Sequence, residues 1–361
     1  MKQNACLTLD LEAVQANVKQ ALNQSHHRVI AVVKNDAYHF GLIPTVTSMV
    51  QAGIRFFATT AIQEAIQIKT HFPDVQILVI NPSTDFDRLR QYDLHASLPS
   101  LAYFETYQDQ MHHIHWHLEW AGLMRRSGCR TVEEAQTCLK RALAQGLDVC
   151  GLWTHFAWAD ELEGDYDQER GEWLSLRETL SQVHHFDYIH AQNSASFVRE
   201  SGPFYPGDYV RLGIYLYGCL PYAKAPVSLQ HALTLEAQVI SIQALDQGES
   251  IGYSGAYQAL EGPVKVAVIN VGYGDGLLRS RVKKSGAQEG HIVHIKGQAY
   301  HLMSLMMSHC LALVDDLVQV GDRVVLYDAV LPVHYFTQLG VGANSEQIAA
   351  LNHQSLEVVY K

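Results

Sequence analysis

The sequence predicts an α/β chain built as an N-terminal (β/α)8 barrel, residues 1–225, followed by a mostly β domain, residues 226–361. Three observations predict it. From residue 27 to about 218, eight short β-branched or aromatic runs alternate with segments of helical period, the pattern of a parallel sheet covered by helices. After Pro221 the texture changes to strands linked by Gly, Asp and Asn turns, with little helical period. The length of 361 residues exceeds one ordinary core and suits two domains.

The start, MKQNACLTLDLEAVQANVKQAL, reads as a strand followed by an amphipathic helix. It lacks a positive segment followed by an apolar one, so the expected location is the cytoplasm. The eight barrel strands are RVIAVVK ending at Lys34, FFATT ending at Thr60, QILVIN ending at Asn81, DLHAS around Ala96, IHWHLEW ending at Trp120, VCGLWTHF ending at Phe156, DYIHAQN ending at Asn193, and YVRLGIYLYG beginning at Tyr209. Polar, helix-favouring segments such as AIQEAIQIKTH and TVEEAQTCLKRALAQG separate them. PYAKAPVSLQ, residues 221–230, marks the boundary, and LTLEAQVISIQAL, VKVAVINVGYG, GHIVHIKGQ and DRVVLYD are the strands of the second domain.

Composition excludes several classes of function. Hydrophobic residues make up 48% and charged residues 17%, a globular balance, and no apolar run reaches the roughly eighteen residues that span a bilayer. A formal net charge of −11 argues against nucleic acid as a partner, because that affinity comes from Lys and Arg facing phosphates. The six cysteines are scattered without a C-x-x-C pair and read as reduced core thiols.

Barrel enzymes place reactive groups at the C-terminal ends of strands, and several candidates fall there together. Lys34 ends the first strand, His155 lies at the end of the sixth, Asn193 and Ser194 follow the seventh, and Arg211 lies in the eighth just before Gly213. A lysine closing the apolar run AVVK is partly desolvated, which favours the neutral, nucleophilic amine.

The segment AVVKNDAYHFG, Ala31 to Gly41, resembles the cofactor-lysine motif of the alanine racemases. WTHFAWAD (Trp153 to Asp160), HAQNSASFVR (His190 to Arg199), VRLGIYLYG (Val210 to Gly218), SIGYSGAY (Ser250 to Tyr257) and VGYGDGLLR (Val271 to Arg279) resemble later blocks of the same family in the same order. The resemblance implies pyridoxal 5'-phosphate held by Lys34 as a Schiff base, with Tyr38, Ser194 and the backbone amides of Gly213 and Ile214 on its phosphate. It implies that Arg211 faces the pyridine nitrogen. An arginine cannot accept that proton, so the ring stays a weak electron sink.

Moving a proton from one face of Cα to the other asks for two bases on opposite sides. The resemblance supplies Lys34 on one face and Tyr253, from the second domain of a partner subunit, on the other. His155 links that tyrosine to Arg211. The implied activity is interconversion of L- and D-alanine by a homodimer with shared sites, supplying D-alanine to the cell wall. Racemisation of serine or another small amino acid, and cofactor binding with reduced activity, are the alternatives. A Schiff-base aldolase without cofactor leaves Ser194, Arg211 and the Gly213 loop unexplained.

Three blocks depart from the family pattern. HLEWAGLMRRSG carries His117 where the family has an often carbamylated lysine, and either Arg125 or Arg126 at the substrate arginine, Arg126 keeping the Arg-x-Gly spacing to Gly128. LMSLMMSH puts Met306 and Met307 in a Cys-Met-Asp triplet with Ser308 in place of the aspartate, leaving the Met307 backbone to receive the substrate carboxylate. GANSEQIA puts Ser345 at or near the place where the family carries a tyrosine on the cofactor phosphate.

HHIHWH raises a metal question, because His115 and His117 alternate onto one strand face, which Glu119 extends. A catalytic zinc needs three supported ligands, so the expectation is a hydrogen-bonded histidine pair lining the barrel and no metal.

Overall fold

The computed structural model describes residues 5–222, 225–282 and 291–361. It divides into two units, Val14–Leu216 with Leu220–Leu229, and Met1–Ala13 with Tyr217–Cys219 and Gln230–Lys361. The expected division at residue 225 puts the first strand, β1 (Cys6–Leu9), in the barrel. Instead, it pairs antiparallel with β10 (Leu233–Leu245) and parallel with the last strand, Glu357–Tyr360, inside the β-rich unit.

The other unit holds β2 (Val29–Val32), β3 (Phe56–Thr59), β4 (Gln76–Val79), β5 (His95–Leu98), β6 (His115–Glu119), β7 (Asp148–Trp153), β8 (Tyr188–His190) and β9 (Val210–Leu212). All eight are parallel, in the order β8-β7-β6-β5-β4-β3-β2-β9. A parallel bridge between His190 and Tyr209 joins the two ends, so the sheet closes into the barrel that the alternating pattern predicts. Strands such as Val29–Val32 and Phe56–Thr59 are buried throughout, which is why they read as continuous apolar runs.

Helices between the strands start on local polar caps. Ser100 accepts from the Tyr103 N–H at 3.1 Å and Thr131 from the Glu134 N–H at 3.1 Å. In the β-rich unit, β10 pairs with both Arg323–Tyr327 and Val264–Ile269, closing a ring of antiparallel strands that also contains Ile292–Ile295, Gln298–Leu305 and Cys310–Val314. Residues 283–290, within and just before the GHIVHIKGQ run, lie outside the described residues up to Gly290.

Candidate active site

The barrel brings Lys34, Tyr38, His155, Ser194, Arg211 and Gly213 together at the C-terminal ends of its strands. Beyond β2 the chain does not continue extended. Asn35, Asp36, Ala37, Tyr38 and His39 all take left-handed backbone angles, with φ between 53° and 62°. Five successive residues of this hand, none of them glycine, cost about 1–2 kcal/mol each, and strain of this kind concentrates at functional sites.

The surrounding hydrogen bonds hold the turn. The Ala37 N–H donates to Val33 O at 3.0 Å, the Gly41 N–H to Asp36 O at 3.1 Å, and the Leu42 N–H to the Asp36 carboxylate at 2.7 Å. Glu64 clamps it from the helix that follows β3, Ile62–His71, receiving the Asp36 N–H at 2.7 Å and the Thr59 hydroxyl.

The turn sets Lys34 Nζ 6.0 Å from the centre of the Tyr38 ring. Burial, then the charge of Arg126, pulls the Lys34 ammonium below its ordinary value, which enlarges the neutral amine fraction. Burial holds the Tyr38 phenol protonated, as a donor. A side chain at Gly213 would begin 2.3 Å from the Tyr38 hydroxyl, so only glycine leaves room there. Asn193 caps the helix Ser194–Arg199 through the Ala195 and Ser196 N–H groups, at 3.1 and 3.0 Å. Ser194 Oγ thereby faces the next loop and accepts from the Gly213 N–H at 3.2 Å and the Tyr215 N–H at 3.4 Å. Ile214 lies between those two donors.

Arg211 is the most constrained side chain of the group. It donates to His190 Nδ1 at 2.8 Å, to the carbonyls of His190 at 2.7 Å and Thr154 at 2.5 Å, and to His155 Nδ1 at 3.3 Å, while its guanidinium lies 4.9 Å from the Trp153 ring centre. Burial, then Arg126, pushes it down to about 9, which leaves it charged at neutral pH. Burial, then the charges of Arg211, Arg126 and Lys34, keeps His155 neutral.

Arg125 and Arg126 are both exposed, and it is the charge of Arg126 that reaches Lys34, His155 and Arg211. Tyr253 and Met307 belong to the β-rich unit. Tyr253 stands in the turn between Ser250–Ile251 and Tyr257–Gln258 and is 77% exposed. Met307 is exposed too, its carbonyl receiving the Gly274 N–H at 2.8 Å. Ser308 is exposed and Ser345 half-buried in the helix Asn344–Ala349.

The histidine pair expected on one face of β6 is arranged differently. His117 turns into the barrel, while His115 bonds Asp148 at 2.5 Å and Asp93 at 3.1 Å. In the sequence His190 carries no role of its own, and Glu119 enters only as an extension of the His115 and His117 face. His190 is hidden in the HAQN run as the end of a strand, and only its hydrogen bond to Arg211 shows its role.

Glu119 is buried, with one oxygen receiving the Ser127 hydroxyl at 2.5 Å and the other without a hydrogen-bond partner. Burial lifts its carboxyl from 4.5 to about 7, against the pull of Ser127, Arg126 and Arg211. Between those values the folded chain holds a proton that the unfolded chain has lost, so this group's contribution to stability falls as pH rises from 4.5 to 7. At about 1.4 kcal/mol per pH unit, the full penalty above pH 7 is about 3 kcal/mol. Urea unfolding should therefore show Glu119→Gln near the parent at pH 5 and more stable than the parent, by up to about 3 kcal/mol, at pH 8.

Comparison with known proteins agrees with this arrangement. Residues 9–221 match the family described as alanine racemase, N-terminal domain, and residues 232–356 match alanine racemase, C-terminal domain. The chain is 41% identical to alanine racemase 2 of Staphylococcus aureus strain COL, over 93% of each protein. It is 29% identical to the alanine racemase of Staphylococcus epidermidis, over 89% of this chain and 85% of that protein. Among solved structures it superposes on the biosynthetic alanine racemase of Pseudomonas aeruginosa with a TM-score of 0.87 at 24% identity, covering both chains completely. The Bartonella henselae alanine racemase gives 0.86 at 23% identity, also over the whole of both chains. With both domain families matched in order along most of its length, the chain belongs to the alanine racemase family.

Proposed function

We propose that this protein interconverts L- and D-alanine with pyridoxal 5'-phosphate, and that the observation carrying this reading is the cluster of Lys34, Arg211, His155, Ser194 and Gly213 at one end of a family barrel. The residues fit the cofactor. Tyr38 donates a phenol proton, Gly213 leaves a gap that any Cβ would fill, and the Gly213 and Tyr215 N–H groups turn toward Ser194 Oγ. These are donors suited to a phosphate. Lys34 would hold the aldehyde carbon, and Arg211 would donate to the ring nitrogen.

The cofactor, when bound, draws electrons from the Cα–H bond of an attached amino acid. The chain's own task is to move the proton. Lys34 Nζ, partly desolvated and neutral for a larger fraction of the time than an exposed lysine, takes and returns it on the face that yields D-alanine. Tyr253 Oη serves the opposite face. Its exposure leaves it available to a second copy of the chain, and we infer a homodimer in which each copy completes the other's site. Arg126 receives the substrate carboxylate, assisted by the Met307 backbone of a second copy of the chain. The Arg211 guanidinium is donor-only and does not deprotonate to a neutral acceptor at neutral pH, so it cannot take up a proton from the ring nitrogen and restrains how much charge the ring absorbs.

We place the reaction in the cytoplasm, with D-alanine destined for peptidoglycan. The six cysteines are all free, which suits a reducing compartment. Among the described residues, no helix is long and apolar enough to cross a membrane.

The test is to load the purified protein with pyridoxal phosphate, reduce it with borohydride and map the modified peptide, then follow L-alanine by loss of optical activity. The cofactor should be trapped on Lys34 and L-alanine should racemise. Trapping elsewhere, or an inert loaded protein, contradicts the reading. Gly213→Ala should weaken cofactor binding roughly ten- to hundredfold, because its methyl displaces the Tyr38 hydroxyl, and an absorbance titration of the cofactor-free protein measures this.

A further inference from the structure

Arg211 is the first member of a longer chain of hydrogen bonds through the barrel interior. His190 Nδ1 accepts from the guanidinium at 2.8 Å, and its Nε2 lies 2.7 Å from His117 Nδ1. His117 Nε2 lies in turn 2.9 Å from His95 Nδ1. His190 and His117 are fully buried and His95 is 4% exposed. The chain thus crosses from β9 through β8 and β6 to the first residue of β5, at the opposite end of the strands from Lys34.

The direction of every bond follows from the guanidinium. It carries N–H donors only, so His190 must present a bare Nδ1 and keep its proton on Nε2. That proton obliges His117 Nδ1 to be bare as well, and the same step obliges His95. A proton added anywhere would set two donors face to face. Burial agrees, since it pushes His190 and His117 well below the ordinary imidazole value and His95 down to about 3.

β7 lies between β6 and β8, and here the sequence makes room. Gly151 stands in register with His117 on one side and Tyr188 on the other. A side chain at Gly151 would begin 2.1 Å from His117 Nδ1, the atom that accepts from His190. His117 therefore reaches over β7 only because residue 151 has no side chain.

The atoms of His95, His117 and Cys150 also lie within 4.8 Å of one another, a spacing that a metal could use. The nitrogen separation decides against that reading. At 2.9 Å it is the length of a shared proton, whereas a tetrahedral zinc with bonds of about 2.0–2.1 Å holds its ligand nitrogens farther apart than this.

We propose that His190, His117 and His95 form one directional chain of neutral imidazoles, each donating from Nε2 away from Arg211, and that His117 is a positioning residue that holds the guanidinium toward the reacting centre. Hydrogen bonds in such a chain strengthen one another, because an imidazole that donates becomes a better acceptor at its other nitrogen. The effect on activity rests on the reading above, in which Arg211 faces the cofactor ring. The proton positions do not rest on it.

Two measurements test the chain. Long-range ¹H–¹⁵N spectra of histidine-labelled protein without cofactor should give the neutral Nε2–H pattern for all three residues, assigned through His117→Gln and His95→Asn. An Nδ1–H or imidazolium pattern from any of them overturns the proposal, and nitrogen–nitrogen couplings across the His190–His117 and His117–His95 hydrogen bonds assign the three rings in the unsubstituted protein if the variants do not fold. In the cofactor-loaded enzyme, His117→Phe should lower kcat about ten-fold with KM for L-alanine unchanged. His117→Gln, whose amide keeps one acceptor and one donor, should recover most of the loss. Gly151→Ala should lower kcat as His117→Phe does. A folded His117→Phe with the parent kcat, or Gln losing as much as Phe, overturns the positioning role. If the unsubstituted loaded enzyme does not racemise alanine, the functional reading fails, and the spectra still decide for or against the chain.

Discussion

Replacing Lys34 with alanine is expected to abolish racemisation, lowering the rate by about 10⁴-fold or more, because one side chain holds two roles. In the proposed mechanism it tethers the cofactor and carries the proton of one face. Neither role passes to a neighbour. Tyr38 is held protonated by burial, His155 is neutral but committed to Arg211 at 3.3 Å, and Arg126 offers hydrogen-bond donors only. The left-handed turn from Asn35 to His39 is retained at a cost in strain, and its effect is to stop β2 at Val32 and place Lys34 on the barrel rim. The variant should fold, since Lys34 is only partly buried and its amine makes no buried ion pair among the described residues. Loss of optical activity from L-alanine measures the rate, and borohydride trapping should find no modified peptide at residue 34.

Arg211→Ala is expected to act on stability and activity together. The guanidinium supplies the only donors that the described residues show for the His190 Nδ1 and the Thr154 carbonyl, and it packs on Trp153. Its removal strands those buried acceptors, at a cost of about 3–5 kcal/mol in urea unfolding. Activity in the folded fraction should fall about a hundredfold, as expected when a preorganised donor at a reacting centre is lost. Arg211→Lys keeps the charge but offers a single ammonium in place of a planar fork, and should recover part of the stability and little of the activity. A variant as stable and as active as the parent would remove Arg211 from the account.

Much of this is legible in the residues themselves. All eight barrel strands fall within the runs that predict them, and those buried throughout and wholly apolar, such as Val29–Val32, leave a continuous apolar trace. Their C-terminal limits are read too long. RVIAVVK reads as a strand to Lys34 but ends at Val32, VCGLWTHF reads to Phe156 but ends at Trp153, and YVRLGIYLYG reads as ten residues where Val210–Leu212 form the strand. In each case the chain leaves the sheet to build the site while still carrying β-favouring side chains, so composition cannot show the turn.

Non-local pairing is the other gap. CLTL gives no sign that it will lie beside Glu357–Tyr360, since that contact joins the two ends of the sequence. LMSLMMSH, read as a block of site residues, is partly the strand Gln298–Leu305. The histidines of β5, β6 and β8 are too far apart in sequence to be read as a group. His190, His117 and His95 meet only once the barrel closes, and the signal that could have joined them, the glycine at 151, has meaning only in register with His117.

In the proposed mechanism Lys34 and a Tyr253 from a second copy of the chain carry the α-proton of alanine on opposite faces. Incubation of the cofactor-loaded protein with L-alanine and with D-alanine in deuterated water tests it most directly, for the parent and for Tyr253→Phe. Deuterium should enter Cα of both isomers with the parent, and Tyr253→Phe should lose exchange from L-alanine while D-alanine continues to exchange. A loaded parent that exchanges neither isomer, or a Tyr253→Phe variant that slows both isomers equally, would contradict it.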